Sequence, residues 1–230
     1  MAKKSRKMKK SVTAYRKKCK AARRGNILMT KLVLIRHGIT EWNREKRYCG
    51  HNDIGLSAEG RSQARLLSKR LGAARFDKIY CSDRKRAIET ARILFKKAGI
   101  VPKAGLREMN FGVLEGLRHK EIMKKYADIY GKWLKDSFRN NIPEAEPMDA
   151  FKGRVERTLM GIAGSNPGRT VAVVCHGGVI AIFLTGISKN RDFWSCVPSP
   201  ASITTVEYEK NERPRVKKFN DTAHLEVNDE

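Results

Sequence analysis

Between Lys31 and Asn43 the chain reads KLVLIRHGITEWN, four apolar residues in a row stopped by Arg36, His37 and Gly38. The run lacks the alternation of a half-exposed strand and the three-to-four spacing of an amphipathic helix. It therefore predicts a strand buried on both faces, as in parallel sheets. Arg169–Gly178, RTVAVVCHGG, repeats the arrangement, with strand formers from Val171 to Val174 and then His176-Gly177. Lys78–Cys81 reads as a short strand, and Ile203–Tyr208 with Arg215–Phe219 as a pair of edge strands. Helical spacing runs from a cap at Ser57 through Arg61, Ala64, Leu67 and Leu71 to Gly72. It returns over Ala87–Ala98, Lys120–Trp133, Asp149–Ala163 and Gly178–Gly186. In the second of these, Ile122, Met123, Tyr126, Ile129 and Tyr130 form the apolar face. Val101–Leu106 reads as extended, Asn140–Pro147 as a loop and the chain beyond Thr222 as frayed. Strands alternating with helices predict an α/β fold with a parallel or mostly parallel sheet covered on both faces.

Ligands in open α/β sheets bind just beyond the carboxyl ends of the strands. If the two strands ending in His-Gly are neighbours, His37 and His176 stand side by side there. Four segments then converge: Arg36-His37-Gly38 with Asn43, Ser82–Arg86, Glu108, and His176-Gly177. Phosphoryl transfer needs charge placement more than covalent chemistry. Arg36 and Arg86 offer bidentate cations for the phosphoryl oxygens, and Asn43 adds a neutral donor. His176 adds a further donor if protonated. His37, kept neutral by the clustered arginines, is the candidate nucleophile, with its second nitrogen expected on a loop carbonyl. Glu108 is the candidate general acid. Each residue alone has a plainer reading: a solvated Arg86, a surface Glu108, a packed strand-end His176. A metal site from two histidines and a glutamate lacks the ligand spacing that would favour it, and the arginines make a metal or other cofactor unnecessary.

Composition narrows the class. The 230 residues are 40% apolar and 32% charged, which predicts a globular chain with one main domain. The longest apolar stretch, Val179–Ile187, falls well short of the roughly 20 residues that cross a bilayer. The five cysteines form no CxxC pair, predicting reduced thiols in the cytoplasm and no disulfide framework. Twelve of the 49 Lys and Arg, and none of the 24 acids, fall in residues 1–28, so that +13 of the +25 net charge remains elsewhere. This shift marks a basic extension at 1–28, a main domain at 29–224 and a frayed end at 225–230. Met8, Val12, Tyr15, Cys19 and Ala22 would line one stripe of a helix in the extension, suited to RNA or an anionic membrane surface. The alternative is a disordered, self-repelling tail.

RHGIT at 36–40 with the following EWN, and the later CHGG at 175–178, resemble the histidine phosphatase (phosphoglycerate mutase-like) superfamily. The likeness extends over about Thr30 to Thr222: Arg47, Gly50, Asp53, Leu56-Ser57 and Gly60, then CSDRKRAIETA at 81–91 and LREMNFGVLEG at 106–116. It implies a three-layer α/β/α sandwich. It makes His37 the phosphorylated nucleophile and Glu108 the acid, while Arg36, Asn43, Arg86, His176 and Gly177 hold the phosphoryl group. Three departures fall where the resemblance puts the pocket rim: Cys49 in place of glutamine, Arg84 in place of leucine, and PEAEP at 143–147 with Glu146 as the counterpart of a family glutamate. Phe111 stands where mutases carry tyrosine, and 117–147 lacks their paired arginines, which favours hydrolysis over isomerisation. The implied activity is a cofactor-independent phosphomonoesterase on a small phosphoester, with alpha-ribazole 5'-phosphate a candidate. A mutase and a non-catalytic phospho-ligand or RNA-binding protein are the alternatives.

Overall fold

Two hydrophobic layers lie on opposite faces of one sheet, and the alternation along its central strand explains them. In β1 (Thr30–Arg36), Leu32 and Leu34 pack with Phe151, Val155, Val179 and Phe183, whereas Val33 and Ile35 pack with Leu67, Ala87 and Ala91. Leu32, Val33, Leu34 and Ile35 are all buried, as a strand covered on both sides requires. The computed structural model describes residues 28–96, 99–188, 192–210 and 212–226. The basic extension and its expected anionic partner therefore lie outside the described residues, apart from Leu28.

The remaining strands are β2 (Lys78–Cys81), β3 (Ile100–Pro102), β4 (Thr170–Cys175), β5 (Ile203–Tyr208) and β6 (Arg215–Asp221). Their order in the sheet is β3-β2-β4-β1-β5-β6. The first four are mutually parallel, β5 runs antiparallel to β1, and β6 runs antiparallel to β5. The helices are α1 (Glu41–Arg44), α2 (Ala58–Leu71), α3 (Lys85–Leu94), α4 (His119–Lys135), α5 (Met148–Gly164) and α6 (Gly177–Ile187). Helices α2 and α3 cover one face and α5 and α6 the other, with α4 joined to the latter's apolar cluster, giving the expected three-layer α/β/α sandwich. Arg36 pairs with Cys175 at the carboxyl ends of β1 and β4, so His37 and His176 each follow a paired terminus.

Several boundaries move for identifiable reasons. Helix α3 begins at Lys85 and stops at Leu94, short of the expected Ala98. Phe95 leaves helical geometry, and its ring packs edge-on against Phe76 at 5.4 Å. The extended reading of Val101–Leu106 fails beyond Pro102, where Ala104–Leu106 forms a 3-10 turn. In α4 the helix kinks at Tyr126 (φ −138°, ψ 26°), and Met123, assigned to its apolar face, is exposed. The chain beyond Thr222 continues as a 3-10 turn, Ala223–Leu225, rather than fraying there. Arg70 of α2 fastens it by bonding both Asp221 and the His224 ring.

Candidate active site

His37 leaves β1 almost wholly buried, with its Nδ1 2.7 Å from the Gly38 carbonyl. A carbonyl only accepts, so in the neutral ring Nδ1 carries the proton and Nε2 keeps its lone pair. The acceptor is thus the carbonyl of Gly38, a residue whose own N–H donates to Thr90 Oγ1 of α3. The His37 pKa lies well below the ordinary histidine range, chiefly through burial and then through Arg86 and Arg36. Reading the sequence credits the arginines alone, whereas desolvation is the larger cause.

The His176 ring is centred 5.1 Å from that of His37, at an interplanar angle of 66°. Its Nε2 lies 2.8 Å from Ser82 Oγ, while Nδ1 is buried and has no hydrogen-bond partner. Burial first, then Arg86 and His37, hold its pKa well down. It is therefore neutral and offers one N–H, rather than the two of an imidazolium. Arg86 is fully buried in the first turn of α3, with Nη1 and Nη2 donating to the carbonyls of Asn52 and Gly50 at 2.9 and 2.7 Å. Arg36 donates through Nη1 to the Pro198 carbonyl. The Nε atoms of both arginines are buried without a partner, as is Nδ1 of His176. The two guanidinium Nε–H groups are donors in any state, and buried, unsatisfied cationic donors call for an anion, because leaving such groups unpaired is costly.

Glu108 is buried beside these cations. Its Oε2 accepts from the Gly178 N–H at 2.8 Å, and Oε1 from its neighbour Met109 at 3.0 Å. Burial nevertheless raises its pKa, against the pull of those bonds and of Arg86 and Arg36. The contact depends on glycine: a Cβ at position 178 would lie 2.4 Å from Glu108 Oε1. The carboxyl is thus protonated closer to neutrality than an ordinary glutamate, as a general acid requires.

A cavity of about 290 Å³ opens onto this group, with Arg36, Asn43, Glu108 and Gly177 in its lining. The alternation that turns Leu32 and Leu34 toward α5 and α6 also puts Arg36 on the cavity side of β1. His37, His176 and Arg86 do not line the cavity but lie buried alongside, close enough for Arg36 and Arg86 to depress both imidazoles. Asn43 also works locally, its Oδ1 accepting from the N–H and hydroxyl of Thr40, the cap of α1. Among the described residues no group of three or more His, Cys, Asp or Glu is placed to hold a metal ion.

Of the residues expected at the rim, Cys49 lines the cavity, whereas Arg84 and Glu146 do not. Glu146 instead grips Arg154 at 2.6 and 2.8 Å. Arg154 in turn donates to the carbonyls of Gly105 at 3.0 Å and Arg107 at 2.8 Å, fixing the turn that carries Glu108. Asp83 grips Arg107 from the end of β2 and is held below the usual carboxylate range by it. Glu115 receives the N–H groups of His51, Asn52 and Phe111. These supports were not legible as such. Glu115 lies close in sequence to Phe111, but His51 and Asn52 are 64 and 63 residues back along the chain.

Comparison with known proteins agrees with this geometry. The model of the histidine phosphatase superfamily (branch 1) matches residues 32–222. Phosphoserine phosphatase 1 of Hydrogenobacter thermophilus is 30% identical over 202 residues, 86% of this chain and 95% of that protein. The adenosylcobalamin/alpha-ribazole phosphatase of Escherichia coli is 35% identical over 159 residues, 67% of this chain and 77% of that one. Among solved structures, the alpha-ribazole phosphatase of Shigella flexneri superposes with a TM-score of 0.75 at 26% identity, covering 84% of this chain and 96% of that one. Matched along nearly all its described length, the chain belongs to the histidine phosphatase superfamily and is a phosphatase.

Proposed function

We propose that the protein hydrolyses phosphomonoesters through a phosphohistidine on His37, with the catalytic unit spanning 29–224. The observation that carries this reading is the 2.7 Å contact between His37 Nδ1 and the Gly38 carbonyl. With Nδ1 donating to Gly38, Nε2 is the free nucleophile, and its partner imidazole stands 5.1 Å away among buried arginines. In the first step Nε2 attacks phosphorus, the ester P–O bond breaks, and Glu108 gives its proton to the departing alkoxide. Arg36, Arg86, Asn43, His176 and the Gly177 N–H spread the charge of the transferring group. In the second step Glu108 takes a proton from water, the new P–O bond forms, and the N–P bond breaks to release inorganic phosphate.

Relatives named for alpha-ribazole and for phosphoserine support a small phosphorylated metabolite as substrate, and we place alpha-ribazole 5'-phosphate first among candidates. The four described cysteines are free thiols, which supports a reducing, cytoplasmic setting. Labelled phosphate should become acid-labile and base-stable on the protein during turnover, and His37→Ala should lose both label and activity. Turnover persisting in His37→Ala would remove the mechanism. Isomerisation of a phosphoglycerate without net release of phosphate would assign a mutase instead.

A further inference from the structure

The cavity lining is of two kinds. Besides the polar cluster, it carries aromatic rings that follow one another edge-on: Tyr48 and Phe111 at 5.0 Å, Phe111 and Trp133 at 6.4 Å, Trp133 and Trp194 at 6.0 Å, Trp194 and Phe193 at 5.1 Å. All five rings line the cavity. Trp133 is 2% exposed and fixed on its other side by Tyr130, whereas Trp194 is 49% exposed and forms the outer lip. Rings that hold one another in place lose little freedom when a ligand arrives, so contact with them is retained as affinity.

The cations of the lining are mostly committed. Arg36 belongs to the polar cluster, held by Pro198. Arg47 is engaged by Glu45, by the Gly116 carbonyl at 2.7 Å and by Glu121 at 3.4 Å. Lys46 has no ion pair among the described residues, but it stands exposed, where a pair is hydrated and weak. A second negative charge on the substrate would therefore enter an aromatic slot with no buried partner, which costs more than it returns.

Resting on the phosphatase reading above, we propose that the preferred substrates are phosphomonoesters whose alcohol carries an uncharged aromatic or similarly apolar body, and that small carboxylated phosphoesters are poor substrates. The volume, about 290 Å³, sits at the low end for ligand sites, which suits a phosphoryl group with a compact ring system. Trp194 is then a specificity residue, contacting the substrate body and not the reacting atoms.

The test compares kcat/KM for 2-phenylethyl phosphate, ethyl phosphate, phosphoserine and 3-phosphoglycerate. All four are esters of primary alkanols, so their demand for a proton from Glu108 is alike. The phenylethyl ester should exceed each of the others by about tenfold or more, the scale at which apolar pockets discriminate. Trp194→Ala should lower the phenylethyl-to-ethyl ratio about tenfold, mainly through KM, and Trp194→Phe should restore most of it. Higher kcat/KM for phosphoserine or 3-phosphoglycerate overturns the proposal, as does a ratio unmoved in Trp194→Ala. A tenfold loss of phosphoserine turnover in Lys46→Met also overturns it, by revealing a carboxylate subsite. These outcomes leave the phosphatase reading intact. Failure to hydrolyse even p-nitrophenyl phosphate would remove that reading, and this one with it.

Discussion

Glu115 never touches the reacting group, yet its removal should be felt there. Its Oε1 accepts from His51 N at 2.6 Å and Phe111 N at 3.2 Å, and its Oε2 from Asn52 N at 2.8 Å and Asn52 Nδ2 at 2.5 Å. The segment so held presents the Gly50 and Asn52 carbonyls that orient Arg86. In Glu115→Ala the two half-buried N–H groups lose a charged acceptor, at about 1.5 kcal/mol each, while the two exposed ones turn to water. A loss of about 3 kcal/mol follows, or roughly 6–12 °C in Tm for a chain of this size. Arg86 survives but is no longer aimed, so kcat/KM measured well below the lowered Tm should fall about 10–100-fold. Arg86→Ala, which deletes the charge outright, should cost about 10³-fold or more. Glu115→Gln keeps one good acceptor and should fall between wild type and Glu115→Ala, with competitive inhibition by vanadate weakening in the same order. Glu115→Ala with kcat/KM within twofold of wild type, beside a crippled Arg86→Ala, would refute this chain of support.

Glu108→Gln should slow alkyl phosphate hydrolysis by about 10²–10⁴-fold and p-nitrophenyl phosphate hydrolysis far less, because nitrophenolate leaves without a proton. Since burial raises the Glu108 pKa, wild-type turnover of alkyl esters should decline toward alkaline pH as the acid ionises, and this limb should vanish in Glu108→Gln. Depression of the His37 pKa sets the acid limb below the ordinary histidine range, about 6.5, so activity should persist at pH 6; a midpoint near 6.5 would contradict the burial argument. Gly178→Ala, by pushing on Glu108, should lower kcat about tenfold or more with a smaller change in KM. Asp221, nearly buried between Arg70 and Lys218, has its pKa depressed mainly by the Arg70 bonds. Asp221→Asn should therefore cost about 1–3 kcal/mol at pH 7 in denaturant unfolding. The stabilising pair is fully present above the unfolded carboxyl's pKa of about 3.9 and is lost as pH falls through the depressed native value, so the difference from wild type should shrink below about pH 4.

The sheet and the site reached the surface of the sequence to different degrees. Leu32–Ile35 and Val171–Val174 announced themselves because a strand buried on both faces leaves no polar position to confuse the pattern. The His-Gly endings then placed the site, since carboxyl ends of neighbouring strands are where α/β sheets bind ligands. Helix ends were less legible: α3 stops at Leu94 because Phe95 finds Phe76, a contact between distant segments that no local propensity encodes. The loop carbonyl expected for His37 was foreseen in kind, but that it belongs to Gly38 depends on a backbone turn. The aromatic wall was invisible for a related reason. Tyr48, Phe111, Trp133 and Trp194 share no spacing, and only the fold brings them edge to edge.

The reacting groups take their aim from peptide units: His37 from Gly38, Arg36 from Pro198, Arg86 from Gly50 and Asn52, Glu108 from Gly178 and Met109. The wall that meets the rest of the substrate is made of side chains alone. Aim and appetite are therefore separately editable: exchanging rings along the wall can change what is consumed while the hydrolytic apparatus keeps its bearings.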